Sequence, residues 1–108
     1  MTINSNDLVD YTHLVGRFYD QFPFPEVPIK AGLPSSLDWR FSLENIYSEC
    51  TGAISPLQKK SRTVRILDAG CGTGISTNSL SYFNSGAEIV AIDISKKSLE
   101  IAKKRLSK

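Results

Sequence analysis

Three glycines within five residues constrain this chain more than any other feature it carries. They lie in "VRILDAGCGTGISTNSL", Val64 to Leu80. Gly70, Gly72 and Gly74 follow "RTVRILD", a short β-branched and aliphatic run that ends in an acid, and precede "GISTNSLSYF", which can form a helix. A second short apolar run, "AEIVAID", comes next and also ends in an acid. The order strand, turn, helix, strand predicts a right-handed unit with two parallel strands whose C-terminal ends share one edge. The crevice at that edge is where such sheets hold ligands. Without β-carbons, the three glycines let the chain turn sharply out of the first strand and approach a ligand with bare backbone. They also let the next helix pack closely.

The two acids narrow the ligand. Asp93 lies 23 residues after Gly70, and a carboxylate at that distance can accept hydrogen bonds from both hydroxyls of an adenosine ribose. A dinucleotide would satisfy this much. The spacing, however, is Gly-x-Gly-x-Gly, Asp68 sits two residues before the first glycine, and the bulky Ile75 follows the last. An anion beside the loop repels a pyrophosphate and favours a ligand that carries positive charge. S-adenosylmethionine meets the requirement. It has an amino group and a sulfonium as cations, a ribose for Asp93, and a carboxylate for N–H groups expected to be free at the start of the helix.

"VRILDAGCGTG" followed by "EIVAIDIS" resembles the first two motifs of the class I S-adenosylmethionine-dependent methyltransferases. The resemblance covers about Arg62 to Lys108. It implies that Asp68, Ala69, Gly70, Cys71, Gly72 and Gly74 surround the methionine end of the cofactor and that Asp93, with Ile94 beside it, binds the nucleoside. "YDQFPFP", Tyr19 to Pro25, is similar to a stretch ahead of the methyltransferase domain in some bacterial members. In many class I enzymes, helices at this position cover the cofactor or admit the acceptor. The family builds its acceptor side from loops after the fourth and later strands. This sequence reaches the helix after the second, so the resemblance implies the N-terminal portion of a methyltransferase, with little activity alone.

The expected fold class is therefore α/β. A Rossmann-like parallel sheet is present only as its first β-α-β-α part and is preceded by two N-terminal helices. Residues 1–61 form a helical cap segment with a proline-rich connector, and residues 62–108 begin the cofactor-binding domain. Leu8, Tyr11, Val15, Phe18 and Phe22 recur at helical spacing and predict a first helix from about Asp7 with a buried stripe. A core role is the first reading of that stripe, with Tyr11, Phe18, Tyr19 or Phe22 lining the site as the alternative. Pro23, Pro25, Pro28 and Pro34 end the helix and make an extended connector. Ser35 and Asp38 read as a capping box for a second helix from about Ser36 to Cys50, whose apolar face is Trp39, Leu43, Ile46, Tyr47 and Cys50. Ser95 is a good N-cap for the last helix. Leu99, Ala102 and Leu106 are expected to be buried there, while Lys96, Lys97, Lys103, Lys104 and Arg105 mostly face water.

Other features exclude more than they assign. A net charge of +2 is too small for a nucleic-acid face. No charged start followed by an apolar run marks a signal peptide, and no apolar run is long enough for a membrane span. Cys50 and Cys71 read as reduced thiols, consistent with a cytoplasmic setting. Cys71 lacks an evident base and reads as a spacer, His13 as a surface residue, and no cluster has metal-site spacing. Asp68 could instead cap the turn after it. The methyl acceptor is expected to be a small molecule. Two further classes stay open: a non-catalytic Rossmann-like interaction module that self-associates through exposed strand edges, and a nucleotide-dependent oxidoreductase half-domain.

Overall fold

The computed structural model describes residues 5–30, 36–54 and 63–107, with side chains from Asp10 and from Trp39 onward in the first two stretches. Helix α1 spans Ser5–Gln21. A short 3-10 helix, Ser36–Phe41, leads into α2, Leu43–Thr51. Then come β1 (Arg65–Ala69), α3 (Ile75–Phe83), β2 (Glu88–Ile92) and α4 (Lys96–Leu106). The strands pair in parallel, with Arg65 opposite Glu88 and Ala69 opposite Ile92. The expected strand, turn, helix, strand unit is present, with an α/β fold around it.

Helix boundaries follow local chemistry. Pro23 stops α1, and Ser95 caps α4 by accepting the Ser98 N–H at 3.1 Å. The second helix is not continuous from Ser36 to Cys50. Ser42 takes an extended conformation (φ −74°, ψ 122°), closes the 3-10 segment with its N–H on the Trp39 carbonyl, and then serves as the N-cap of α2. The expected capping residue Ser35, the side chains of Asp38 and Leu8, and Pro34 lie outside the described residues.

The buried centre is small and sits between the glycine loop, α3 and α4. Cys71, Leu80 and Ala102 are its apolar members, and Thr73, Thr77, Ser79, Ser95, Ser98 and Arg105 are buried with them. At Gly74 (φ +85°) a β-carbon would stand 3.0 Å from Ala102, so the missing side chain sets how closely α4 approaches the start of α3.

Several expectations about burial are corrected. Exposure alternates along each strand, where parallel strands are ordinarily covered on both faces. Leu67, Val90 and Ile92 make an uncovered apolar face, with Arg65 paired to Glu88 at 3.4 Å at its start. The stripe of Tyr11, Val15 and Phe18 on α1, with Phe22 just past its end, is exposed rather than core. That helix docks instead through its small and polar side. Gly16 lies against the Ile94 carbonyl, and Asp20 reaches the start of α4. On the second helix, Trp39, Ile46, Tyr47 and Cys50 are exposed and Leu43 is half-buried. The segment is held by polar contacts to Asn84, whose side chain accepts the Leu43 N–H and donates to the Phe41 carbonyl.

Arg105 is a further correction. It was expected in water with the lysines of α4, but it is only 6% exposed. A guanidinium offers several donors in a fixed fork, and three backbone carbonyls on two segments converge on this one. Nε donates to Thr73 O at 2.9 Å, one terminal nitrogen to Pro28 O at 3.0 Å and the other to Val27 O at 2.7 Å. Leu106, assigned to the buried face, is exposed.

Candidate functional site

The site is built where β1 and β2 end side by side. Gly70 and Cys71 both donate their N–H groups to the Ile92 carbonyl, at 2.8 and 3.0 Å, which ties the first turn of the glycine loop to the end of β2. Asp93 follows directly. Its Oδ2 accepts the Gly72 N–H at 2.8 Å and its Oδ1 accepts the Ser95 N–H at 2.8 Å. A carboxylate offers about four acceptor positions. Two backbone bonds therefore fix its plane and leave each oxygen able to accept one more hydrogen.

A cleft of about 480 Å³ opens at this edge, lined by Gly70, Gly72, Ile92, Asp93, Ile94 and Ser98, with Tyr19 and Phe24 from the N-terminal segment. The size is in the range of small-ligand sites, and so is the mixture of apolar wall and few polar groups. At Gly70 nothing stands within 4 Å of where a β-carbon would be, so the loop presents open backbone there. Gly72 is the opposite case. Its φ is +53° and a β-carbon would fall 2.3 Å from the Phe24 carbonyl oxygen.

That close approach shows what the "YDQFPFP" stretch does. Residues 22–28 run as a strap across the glycine loop. Thr73 donates its N–H to Phe24 O at 3.3 Å and its hydroxyl to Pro25 O at 2.6 Å, and Arg105 holds the carbonyls of Val27 and Pro28. The strap thereby sets Phe24 in the cleft wall. Asp20 anchors the other end: its Oδ1 accepts the Ser95 hydroxyl at 2.6 Å and the Lys97 N–H at 3.2 Å. Those two hydrogen bonds, that from Ser95 first, hold the Asp20 carboxyl below the ordinary carboxylate range.

The predicted site residues are brought together unequally. Gly70, Gly72, Asp93 and Ile94 line the cleft. Asp68 is half-buried below it, where Oδ2 accepts hydroxyl hydrogens from Ser76 at 2.9 Å and Thr77 at 2.7 Å in the first turn of α3. Ala69 ends β1 and Gly74 packs on Ala102, and neither lines the cleft. Cys71 is buried. Its thiol is pushed above the ordinary range by burial and then by the charges of Asp68 and Asp93, which suits a spacer and not a nucleophile. Among the aromatics expected from the first helix, Tyr19 lines the cleft and Tyr11, Phe18 and Phe22 do not.

The loop amides are spent within the chain, whereas the start of α3 carries no side-chain cap. Every N–H from Gly70 to Gly74 is engaged inside the chain, the last with Cys71 O. The strap and the end of β2 supply acceptors that linear sequence does not reveal. Phe24, Thr73, Ser98 and Arg105 were not singled out as site residues, because each owes its place to contacts with distant segments. Among the described residues no helix is long and apolar enough to cross a membrane, and no His, Cys, Asp and Glu group could hold a metal ion.

Residues 60–108 match a family profile described as a methyltransferase domain. An uncharacterized protein of Synechococcus sp. is 45% identical over 94 residues, which is 87% of this chain and 22% of that protein. The uncharacterized phycocyanin operon protein W of Pseudanabaena tenuis is 45% identical over 92 residues, 84% of this chain and 82% of that protein. Magnesium-protoporphyrin O-methyltransferase of Rhodobacter capsulatus is 52% identical over 42 residues, 39% of this chain and 18% of the enzyme. The chain thus spans less than a quarter of the first and third of these relatives and most of the second. No solved structure gives a significant match.

Proposed function

Because residues 60–108 match a methyltransferase domain, we propose that the chain belongs to the class I S-adenosylmethionine-dependent methyltransferases and binds S-adenosylmethionine in the cleft beside Gly70 and Asp93, for methyl transfer to a small-molecule acceptor. The observation that carries this reading is the Asp93 carboxylate. It is oriented by the Gly72 and Ser95 N–H groups, keeps acceptor capacity on both oxygens, and stands at the open face of Gly70 in a cleft of about 480 Å³.

The residues present fit the group. Asp93 accepts the two ribose hydroxyls, Ile92 and Ile94 give apolar wall to the nucleoside, and Gly70 admits the chain that leads to the sulfur without a side chain in the way. Bound there, the cofactor supplies a methyl group on a cationic sulfur, ready for in-line displacement. The protein's own task is alignment and exclusion of water. Asp68 and Asp93 put negative charge around the loop, which favours a cationic ligand over a pyrophosphate. Tyr19 of α1 and Phe24 of the strap supply the aromatic part of the cleft wall.

Titration calorimetry of the chain with S-adenosylhomocysteine tests the reading. The expected result is weak saturable binding without turnover, weakened about tenfold further by Asp93→Asn, the loss expected for hydrogen bonds to a charged acceptor. Displacement of S-adenosylhomocysteine by NAD, or no heat of binding at millimolar ligand, would overturn it.

A further inference from the structure

Four aromatic side chains stand uncovered where α1 runs into the strap. Phe18, Tyr19, Phe22 and Phe24 are all exposed, Phe22 at 62% and Phe24 at 66%. Apolar residues scattered singly over a surface need no explanation, but a contiguous cluster marks a place where something binds. Three of these are contiguous by their rings: the Phe18 centroid lies 5.4 Å from that of Tyr19 and 5.4 Å from that of Phe22. All four line a second cavity, of about 610 Å³, to which the strap adds Val27 and α4 adds Ile101. Glu26 is the one charged side chain among its lining residues.

The lining says what kind of occupant fits. Aromatic and aliphatic walls with few polar groups, around a volume of this size, are the make-up of a small-molecule site. The strap side of the cavity is fixed without a ligand, because Thr73 and Arg105 hold the carbonyls of Phe24, Pro25, Val27 and Pro28. Binding there has little chain to order, which lowers its cost. Aromatic walls favour a flat ring system, which meets them offset-stacked or edge-on, and the Glu26 carboxylate disfavours an anion. We propose that this cavity binds an uncharged, flat aromatic compound, at a site separate from the cleft beside Gly70 and Asp93. The proposal needs no assumption about the cofactor. Tyr19 and Phe24 line both cavities, so the two sites share part of their wall.

The probes are 2-naphthol and 2-naphthoate, one ring system without and with a negative charge at neutral pH, and methyl NMR of the full chain reports where they bind. Titration with 2-naphthol is expected to shift the Val27 and Ile101 methyl signals saturably. Phe22→Ala weakens that binding about fivefold, the loss expected for one aromatic pair, and Phe18→Ala weakens it similarly. Phe22 is exposed, so its replacement leaves the thermal unfolding midpoint close to that of the unsubstituted chain. Binding of 2-naphthoate is about threefold weaker, the size of one exposed charge interaction, and Glu26→Gln removes the difference. Four results would overturn the proposal: no saturable shift up to the solubility limit of 2-naphthol, shifts confined to the Ile92 and Ile94 methyls of the other cleft, an affinity that neither phenylalanine substitution alters, or equal binding of the two probes. None of them bears on the S-adenosylhomocysteine titration, which tests the cleft beside Asp93 by itself.

Discussion

Replacing Gly72 with alanine tests how the strap and the glycine loop depend on each other. Two costs add. The first is conformational: a residue with a β-carbon at φ +53° costs about 1 kcal/mol relative to glycine. The second is contact. The new β-carbon would fall 2.3 Å from Phe24 O, roughly 1 Å inside ordinary contact distance, so either the loop or the strap must move. Movement of the strap weakens the Thr73 N–H bond to Phe24 O and the Thr73 hydroxyl bond to Pro25 O, each worth about 1 kcal/mol net. The total is about 3 kcal/mol. Gly86→Ala is the control, because Gly86 has a similar conformation (φ +79°) with nothing within 4 Å of its β-carbon position, and it should show only the first cost. Urea unfolding followed by circular dichroism measures both variants. Equal destabilisation by the two would refute the claim that the strap is seated on the loop.

Two further outcomes follow from the polar anchors. Arg105→Met keeps the stem but strands the carbonyls of Thr73, Val27 and Pro28. It should destabilise the chain by roughly 3 kcal/mol and speed hydrogen exchange at the Thr73 amide, whereas unchanged exchange by NMR would show that Arg105 does not hold the strap. The Asp20 carboxyl lies below the ordinary carboxylate range, so its contribution to stability is fully present above that range and is lost as pH falls through the lowered value. Asp20→Asn should therefore flatten the acid side of a stability profile measured by urea unfolding at successive pH values. An unchanged acid slope would contradict the assignment.

The strand, turn and strand of the site were legible in the sequence because their cause is local. Glycine at positive φ, aliphatic runs bounded by an acid, and serine at a helix start impose the same geometry wherever they occur. Thus Gly70, Gly72, Gly74, Asp93 and the Ser95 cap could be read from spacing alone, and Gly70, Gly72 and Asp93 meet at one edge. What periodicity misjudged was burial. An aromatic stripe on α1 and short aliphatic runs on β1 and β2 have the pattern of a core, but a residue is buried only if another element lies over it. In this fold α1 turns Gly16 and Asp20 inward and leaves the aromatic stripe outside. Only the tertiary structure decided that Arg105 leaves the lysine-rich face of α4 to hold the strap, that the loop amides are spent inside the chain, and that the Ser98 hydroxyl is buried without a partner. Each of these depends on backbone carbonyls brought in from segments up to 78 residues away, or on their absence. No local pattern encodes which carbonyls will be there.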